Sequence, residues 1–242
     1  MKKLQKIGLV VALALGLLVG HVTPAEAARF SKKCDRSSGQ LVLARNQVSA
    51  IVEERPYGRV DACRRSDGRR WVLGYTGEVG DANVRDFRLA GRYVGYSAIY
   101  CDRYPTLGEF GCGGQVVTCD AVTGRAVNVA QLRSLISTHK TAAVPFLGQL
   151  ASGELVWVQR IRDFTSSERR YEVRQAHGST DVLLASGADI DPTSIAVREG
   201  TVSWKRSGRP ESAALLRQSS APGVNAPNCV RAAGYERPAG GW

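Results

Sequence analysis

Short apolar runs broken by glycine-centred turns fill most of the chain, and the 3.6-residue period of a helix is found only at one short candidate, 129–137. Three segments, 89–96, 151–158 and 198–205, share one arrangement. Each has an apolar stretch, a turn at Gly91, Gly153 or Gly200, and then a strand. An aromatic on that strand, Tyr96, Trp157 or Trp204, follows the glycine by five, four and four positions. A fainter copy spans 44–51 with Asn46 at the turn, where asparagine tolerates positive φ. The glycines lie 62 and 47 residues apart, which puts the repeat near the shorter interval.

A second hairpin follows in each unit. Residues 58–65 lead through Ser66-Asp67-Gly68-Arg69 to a strand at 70–75, and 115–121 lead through Val122-Thr123-Gly124-Arg125 to one at 126–129. Residues 171–176 lead through His177-Gly178-Ser179-Thr180 to a strand at 181–185. Tight glycine turns between alternating runs such as Tyr171-Glu172-Val173-Arg174 predict hairpins. Four strands joined by tight turns and repeated about every 40–50 residues make the unit of a β-propeller blade.

The stretch Asp191-Pro192-Thr193-Ser194-Ile195-Ala196-Val197, followed by Gly200, Val202 and Trp204, resembles a blade start in secreted β-propeller repeat proteins of the TolB-like and YVTN-like kind. Residues 117–125 resemble their inner hairpin, a strand running into Asp120-x-x-Thr123-Gly124-Arg125. The resemblance covers about 40–217. It implies an all-β, β-propeller-like repeat of four-stranded antiparallel units over 28–218 and leaves function open, since propellers host enzymes, lectins and scaffolds. A β-sandwich of similar strands is the alternative fold. The strand near 40–44 either closes a ring or leaves the array open.

At the N-terminus, Lys2, Lys3 and Lys6 precede an uncharged apolar run at 7–20 and the small-x-small triplet Ala25-Glu26-Ala27. This is the pattern of a secretory signal peptide, 1–27, and it places the mature chain outside the cytoplasm, secreted or on the cell envelope. No later segment is apolar enough to span a bilayer. Residues 219–242, rich in Pro, Gly and Ala, are expected to form a tail. All six cysteines follow the leader, and an even count suits disulfides in an oxidising compartment. Cys101 and Cys112 flank a loop between two strands and are the first expected bridge; Cys34 with Cys63 comes next, leaving Cys119 and Cys229.

The chain carries 33 basic and 22 acidic residues; loss of Lys2, Lys3, Lys6 and Glu26 with the leader leaves a net charge of +9. Arginine doublets at Arg64-Arg65, Arg69-Arg70 and Arg169-Arg170 border turns, without the recognition helix or interleaved aromatics that nucleic-acid binding wants. The partners expected are therefore a protein or an anionic envelope polymer or glycan.

Candidate chemistry is sparse. His139 and His177 are expected in loop and turn, no GxSxG or HExxH occurs, and Gly111-Cys112-Gly113-Gly114 reads as a loop without the Lys-Ser/Thr of a phosphate cradle. No cofactor or metal is implied. Asp189 and Asp191 read as turn caps, and Asp102 and Glu109, in the cysteine-flanked loop, are the candidate ligand-facing acids. Trp71, Tyr96, Trp157 and Trp204 suit packing between units, with sugar stacking as the sharper alternative. The sequence thus supports an exported, non-enzymatic binding module; the alternative is a glycosidase-like hydrolase using dispersed carboxylates.

Overall fold

The computed structural model describes residues 34, 39–76, 83–103, 110–132, 136–137, 140–163, 168–217 and 227–232; within its strands the side chains of 100–103, 110–112, 136–137, 140–142 and 163 are outside the description. The described residues are almost entirely antiparallel β-structure. A first meander joins β1 (Gln40–Arg45), β2 (Ser49–Glu54), β3 (Arg59–Arg64) and β4 (Arg70–Tyr75). A second joins β5 (Asn83–Ala90), β6 (Tyr93–Arg103), β7 (Phe110–Asp120) and β8 (Arg125–Gln131). After the two-residue β9 (Ile136–Ser137) comes a third, β10 (Lys140–Gln149), β11 (Leu155–Asp163), β12 (Arg169–His177) and β13 (Thr180–Gly187). β14 (Ile190–Arg198), β15 (Thr201–Arg206) and β16 (Arg209–Ala214) form a separate three-stranded sheet, and a short helix α1 (Cys229–Ala232) follows.

The first three meanders are chained into one sheet by thin links. β4 and β5 share a single parallel pair, Tyr75 opposite Asn83, and β9 bridges β7 to β10. Among the described residues neither sheet closes on itself; β1 pairs with β2 and stands at one end of the order. The first strands of the units contact one another in series, β1 with β5, β5 with β10 and β10 with β14.

Burial explains this series. Between units one and two lies a core of Ile51, Val60, Leu73, Val84, Val94, Tyr96, Val117 and Cys119. Between two and three lie Val116, Leu147, Leu155 and Trp157; between three and four lie Val156, Val158, Val173, Ile190, Val202 and Trp204. Neighbouring residues of one strand, Val116 and Val117 or Val156 and Trp157, therefore point into different cores, as alternation of side chains across a sheet requires.

Polar side chains clasp successive units. Asn46 Nδ2 and Ser49 Oγ both donate to the Gly91 carbonyl, at 2.8 and 2.9 Å. Asn128 Nδ2 donates to the Gly153 carbonyl at 3.1 Å while its Oδ1 accepts from the Gly178 N–H at 2.8 Å. Gln175 Nε2 donates to the Leu216 carbonyl and its Oε1 accepts from the Leu216 N–H, at 2.6 and 2.9 Å. Each uses buried polar capacity that would be costly if unmet.

The described parts of the expected helix at 129–137 form strand at 129–131 and 136–137. Val129 pairs with Val117, the Leu132 N–H donates to the Gly114 carbonyl, and Ile136–Ser137 forms β9. Pairing along the neighbouring β7 outweighs a weak local helical period. Gly111-Cys112-Gly113-Gly114 is likewise not a loop but part of β7, paired residue by residue with β6. Those strands run through both cysteines and set the Cys101 Cα opposite Cys112. The side chains of that expected bridge lie outside the described residues. Among the described residues two disulfides are present, Cys34–Cys63 and Cys119–Cys229. The second ties α1 to β7 across 110 residues of sequence. It brings Cys229, from the stretch expected as a tail, into the first core.

Replacing both Cys119 and Cys229 by alanine should lower the unfolding free energy by about 2–5 kcal/mol, because the open chain regains the entropy of a long loop. Urea unfolding of the double variant beside the parent measures it; a loss under about 1 kcal/mol would mean that α1 contributes little to the first core.

Candidate functional site

The second hairpins of units one and two meet at one edge of the first core, and their turns are held in shape by carboxylates. In the β3–β4 turn, Arg64 donates twice to Asp67, once at 2.9 Å through Nε, and Asp67 Oδ1 also accepts the Arg69 N–H at 3.1 Å. The Arg64 guanidinium first, and the Arg69 N–H second, hold the Asp67 carboxyl well below the usual carboxylate range. Arg64 also reaches across to unit two, donating through Nη1 to the Val122 carbonyl at 2.9 Å.

In the β7–β8 turn the buried Asp120 does the same work. It accepts from the Val122 N–H at 2.9 Å, the Thr123 hydroxyl at 2.8 Å and two donors of Arg92, Nε and Nη2. Burial alone would raise its pKa; the Arg92, Val122 and Thr123 donors outweigh burial and keep the carboxyl below its ordinary range.

Trp71, at the start of β4, fills the seam. The Arg64 and Arg69 guanidinium carbons stand 5.6 and 5.5 Å from its ring centroid, within cation–π range. Its indole lies on Gly124, where φ is +72° and an added Cβ would fall 1.8 Å from Trp71 Cδ1. No residue with a side chain fits there. The third wall is the segment leading into α1. The Ala126 N–H donates to the Pro227 carbonyl at 2.9 Å, the Cys229 N–H to the Gly124 carbonyl at 3.2 Å, and the Tyr96 hydroxyl to the Cys229 carbonyl at 2.8 Å. Between these walls is a cleft of about 500 Å³, lined by Trp71, Thr123, Gly124, Arg125, Pro227, Asn228 and Arg231. It offers an indole, a hydroxyl, an amide and guanidinium groups, the groups that bind polar, extended ligands.

Of the aromatic, histidine and acidic candidates whose side chains are described, Trp71 lines this cleft. Asp102 sits in β6 opposite Gly111, with its side chain outside the described residues, and Glu109 is outside them too. His177 is exposed at the end of β12; His139 lies outside the description. Asp191 lies at an irregularity near the start of β14, accepting from the Thr193 N–H at 2.9 Å and hydroxyl at 2.7 Å, and Asp189, in the turn before β14, accepts from Arg206 at 3.0 Å and Ser207 at 2.9 Å. Tyr96, Trp157 and Trp204 are buried in the cores, so of the four aromatics singled out only Trp71 is half-exposed and borders a cleft.

Of the four buried acids among the described residues, three are held by arginines, Asp61 by Arg59 at 2.9 Å, Asp120 by Arg92 and Glu172 by Arg174 at 2.8 Å, and Glu154 accepts from the Ser152 hydroxyl. Burial is the largest influence on Asp61 and raises its pKa despite Arg59. Among the described residues no group of three or more His, Cys, Asp or Glu is placed to hold a metal ion.

Sequence reasoning passed over Arg125, Asn228 and Arg231. Gly124-Arg125 was visible as a turn, but Asn228 and Arg231 reach the cleft through long-range contacts, the Cys119–Cys229 bond and the backbone hydrogen bonds of Pro227 and Cys229. Compared with known proteins, the chain matches no family model and no curated sequence.

Two outcomes follow from this packing. Gly124→Ala should cost more stability than Gly178→Ala. Gly178 has φ +63° with nothing near its missing Cβ. Alanine there carries only left-handed backbone strain, about 1–2 kcal/mol, whereas at Gly124 the indole must also move. Chemical denaturation of both variants compares them; equal losses would mean that Trp71 does not rest on Gly124. Asp120→Asn should be destabilised at pH 7 by about 1–3 kcal/mol. Because the folded carboxyl titrates below the unfolded one, its stabilisation is complete above the unfolded value and fades as pH falls through the folded value. The gap between variant and parent should therefore narrow below about pH 4, as urea titrations at several pH values would register.

Proposed function

We propose that the protein is an exported, non-enzymatic binding module of four propeller-like units, which holds a polymer of the cell envelope or extracellular space in the cleft beside Trp71. The observation that carries this is the cleft itself: a half-exposed indole, a hydroxyl, an amide and guanidinium groups around about 500 Å³ at a seam between units. Aromatic faces and edges suit sugar rings, while the flanking donors suit their oxygens.

Export is supported by the leader pattern at 1–27 and by two disulfides of the kind that persist in oxidising compartments. No helix among the described residues is long and apolar enough to cross a membrane. A propeller-like arrangement is supported by the serial contact of first strands and by the three cores lying between successive units. A binder is favoured over a glycosidase-like hydrolase because the cleft is lined by no acid and three of the four buried acids among the described residues, Asp61, Asp120 and Glu172, are engaged with arginines. Paired glycosidase acids instead face a common substrate.

Sedimentation of the mature chain with purified envelope polymers tests the proposal. Saturable binding that leaves polymer length unchanged, and that weakens at least about tenfold in Trp71→Ala, is expected, a loss of about 1.4 kcal/mol. Shortening of the polymer would support the hydrolase; binding unaffected by Trp71→Ala would move the site elsewhere.

A further inference from the structure

We infer that the group seated in this cleft is anionic, a carboxylate- or phosphate-bearing unit of a polymer, with Arg231 as its principal contact. This deepens the binding proposal above and rests on it. The lining includes two arginines and no acidic residue. Two nearby acids are already committed, Asp67 to Arg64 and Asp120 to Arg92. Several arginines are matched by acids, Arg59 by Asp61 and Glu54, Arg174 by Glu172 and Asp181, and Arg206 by Asp189 and Glu211, while others on the surface, such as Arg160, Arg198 and Arg209, form no ion pair with a described residue. Of the lining residues, Arg231 forms no ion pair with any described residue, and the cleft supplies no acid to meet it.

Asn228 adds to the imbalance. Its Oδ1 accepts the Arg231 N–H at 2.9 Å, which fixes the amide and directs its NH2 donors away from that bond. The ligand therefore meets donors on the wall formed by Asn228 and Arg231. A guanidinium offers a carboxylate or phosphate two parallel hydrogen bonds, a geometry that a lysine ammonium lacks. The three walls also exclude part of the solvent, so the attraction is screened less than on a flat surface.

Titration of the mature chain with polygalacturonate, polyphosphate and neutral dextran of matched length tests the inference. At least one polyanion should bind at least about tenfold tighter than dextran, with affinity falling between about 50 and about 500 mM salt. Arg231→Glu should weaken that binding about tenfold or more, Arg231→Lys by a smaller factor, and Arg209→Glu, on exposed β16, by less than about twofold. Preference for polygalacturonate names the carboxylate source, and preference for polyphosphate the phosphate. Dextran bound as tightly as the polyanions and lost in Trp71→Ala would overturn the anion while leaving the binding proposal intact. Equal losses in Arg231→Glu and Arg209→Glu would also overturn it, since general surface charge would then suffice. Failure to bind any of the three overturns the inference; if envelope polymers also fail to sediment with the chain, the binding proposal falls with it.

Discussion

Strands that are apolar on both faces govern this molecule. In β7, Val116 and Val117 are both fully buried and face opposite cores, and Val156 and Trp157 do the same in β11. A sheet of this kind left open on one side would expose contiguous apolar surface to water, at about 25 cal/mol for each Å². The middle units must therefore be covered on both sides, and the chain supplies the covers in order. The ends of the series are built differently. The outer face of β15 presents Thr201, Ser203 and Lys205, while its inner face buries Val202 and Trp204. On unit one the outer face of β2 is finished by a small cluster, Ala50, Val52 and Cys63 with the disulfide partner Cys34.

The cleft is a consequence of that layering. The apolar parts of units one and two close on each other, and their second turns meet at the rim through Trp71 on Gly124 and Arg64 on the Val122 carbonyl. Two carboxylates, Asp67 and Asp120, shape these turns from within and take up Arg64 and Arg92. α1 is too short to hold its place alone, since isolated helices of this length are unstable in water. The Cys119–Cys229 bond and the backbone contacts of Pro227 and Cys229 fix it against β7 and β8. Structure and candidate function thus share the same groups: the bond that extends the first core also completes the wall carrying Asn228 and Arg231.

The repeating turns were legible because their chemistry is local. Asn46, Gly91, Gly153 and Gly200 each mark a first hairpin, and the strands that follow them, β2, β6, β11 and β15, are where the spacing put them. The second hairpins at Asp67-Gly68, Thr123-Gly124 and Gly178 were equally plain for the same reason. The stretch from Val129 misled because its short apolar run fits a helix as well as a strand, and only the long-range partner β7 decides between them. The site was less legible still. Arg125, Asn228 and Arg231 are unremarkable in sequence, and they converge through one of many possible cysteine pairings. Trp71 looked like Trp157 and Trp204; what separates it is the missing side chain of Gly124, on another unit.

The central claim, a layered β-fold whose first core and cleft are completed by the C-terminal segment, is tested most directly by a non-reducing peptide map of the oxidised protein by mass spectrometry. The account predicts one crosslinked species joining the peptides of Cys119 and Cys229 and another joining those of Cys34 and Cys63. Cys229 found free, or joined to any other cysteine, would detach α1 from β7 and contradict it.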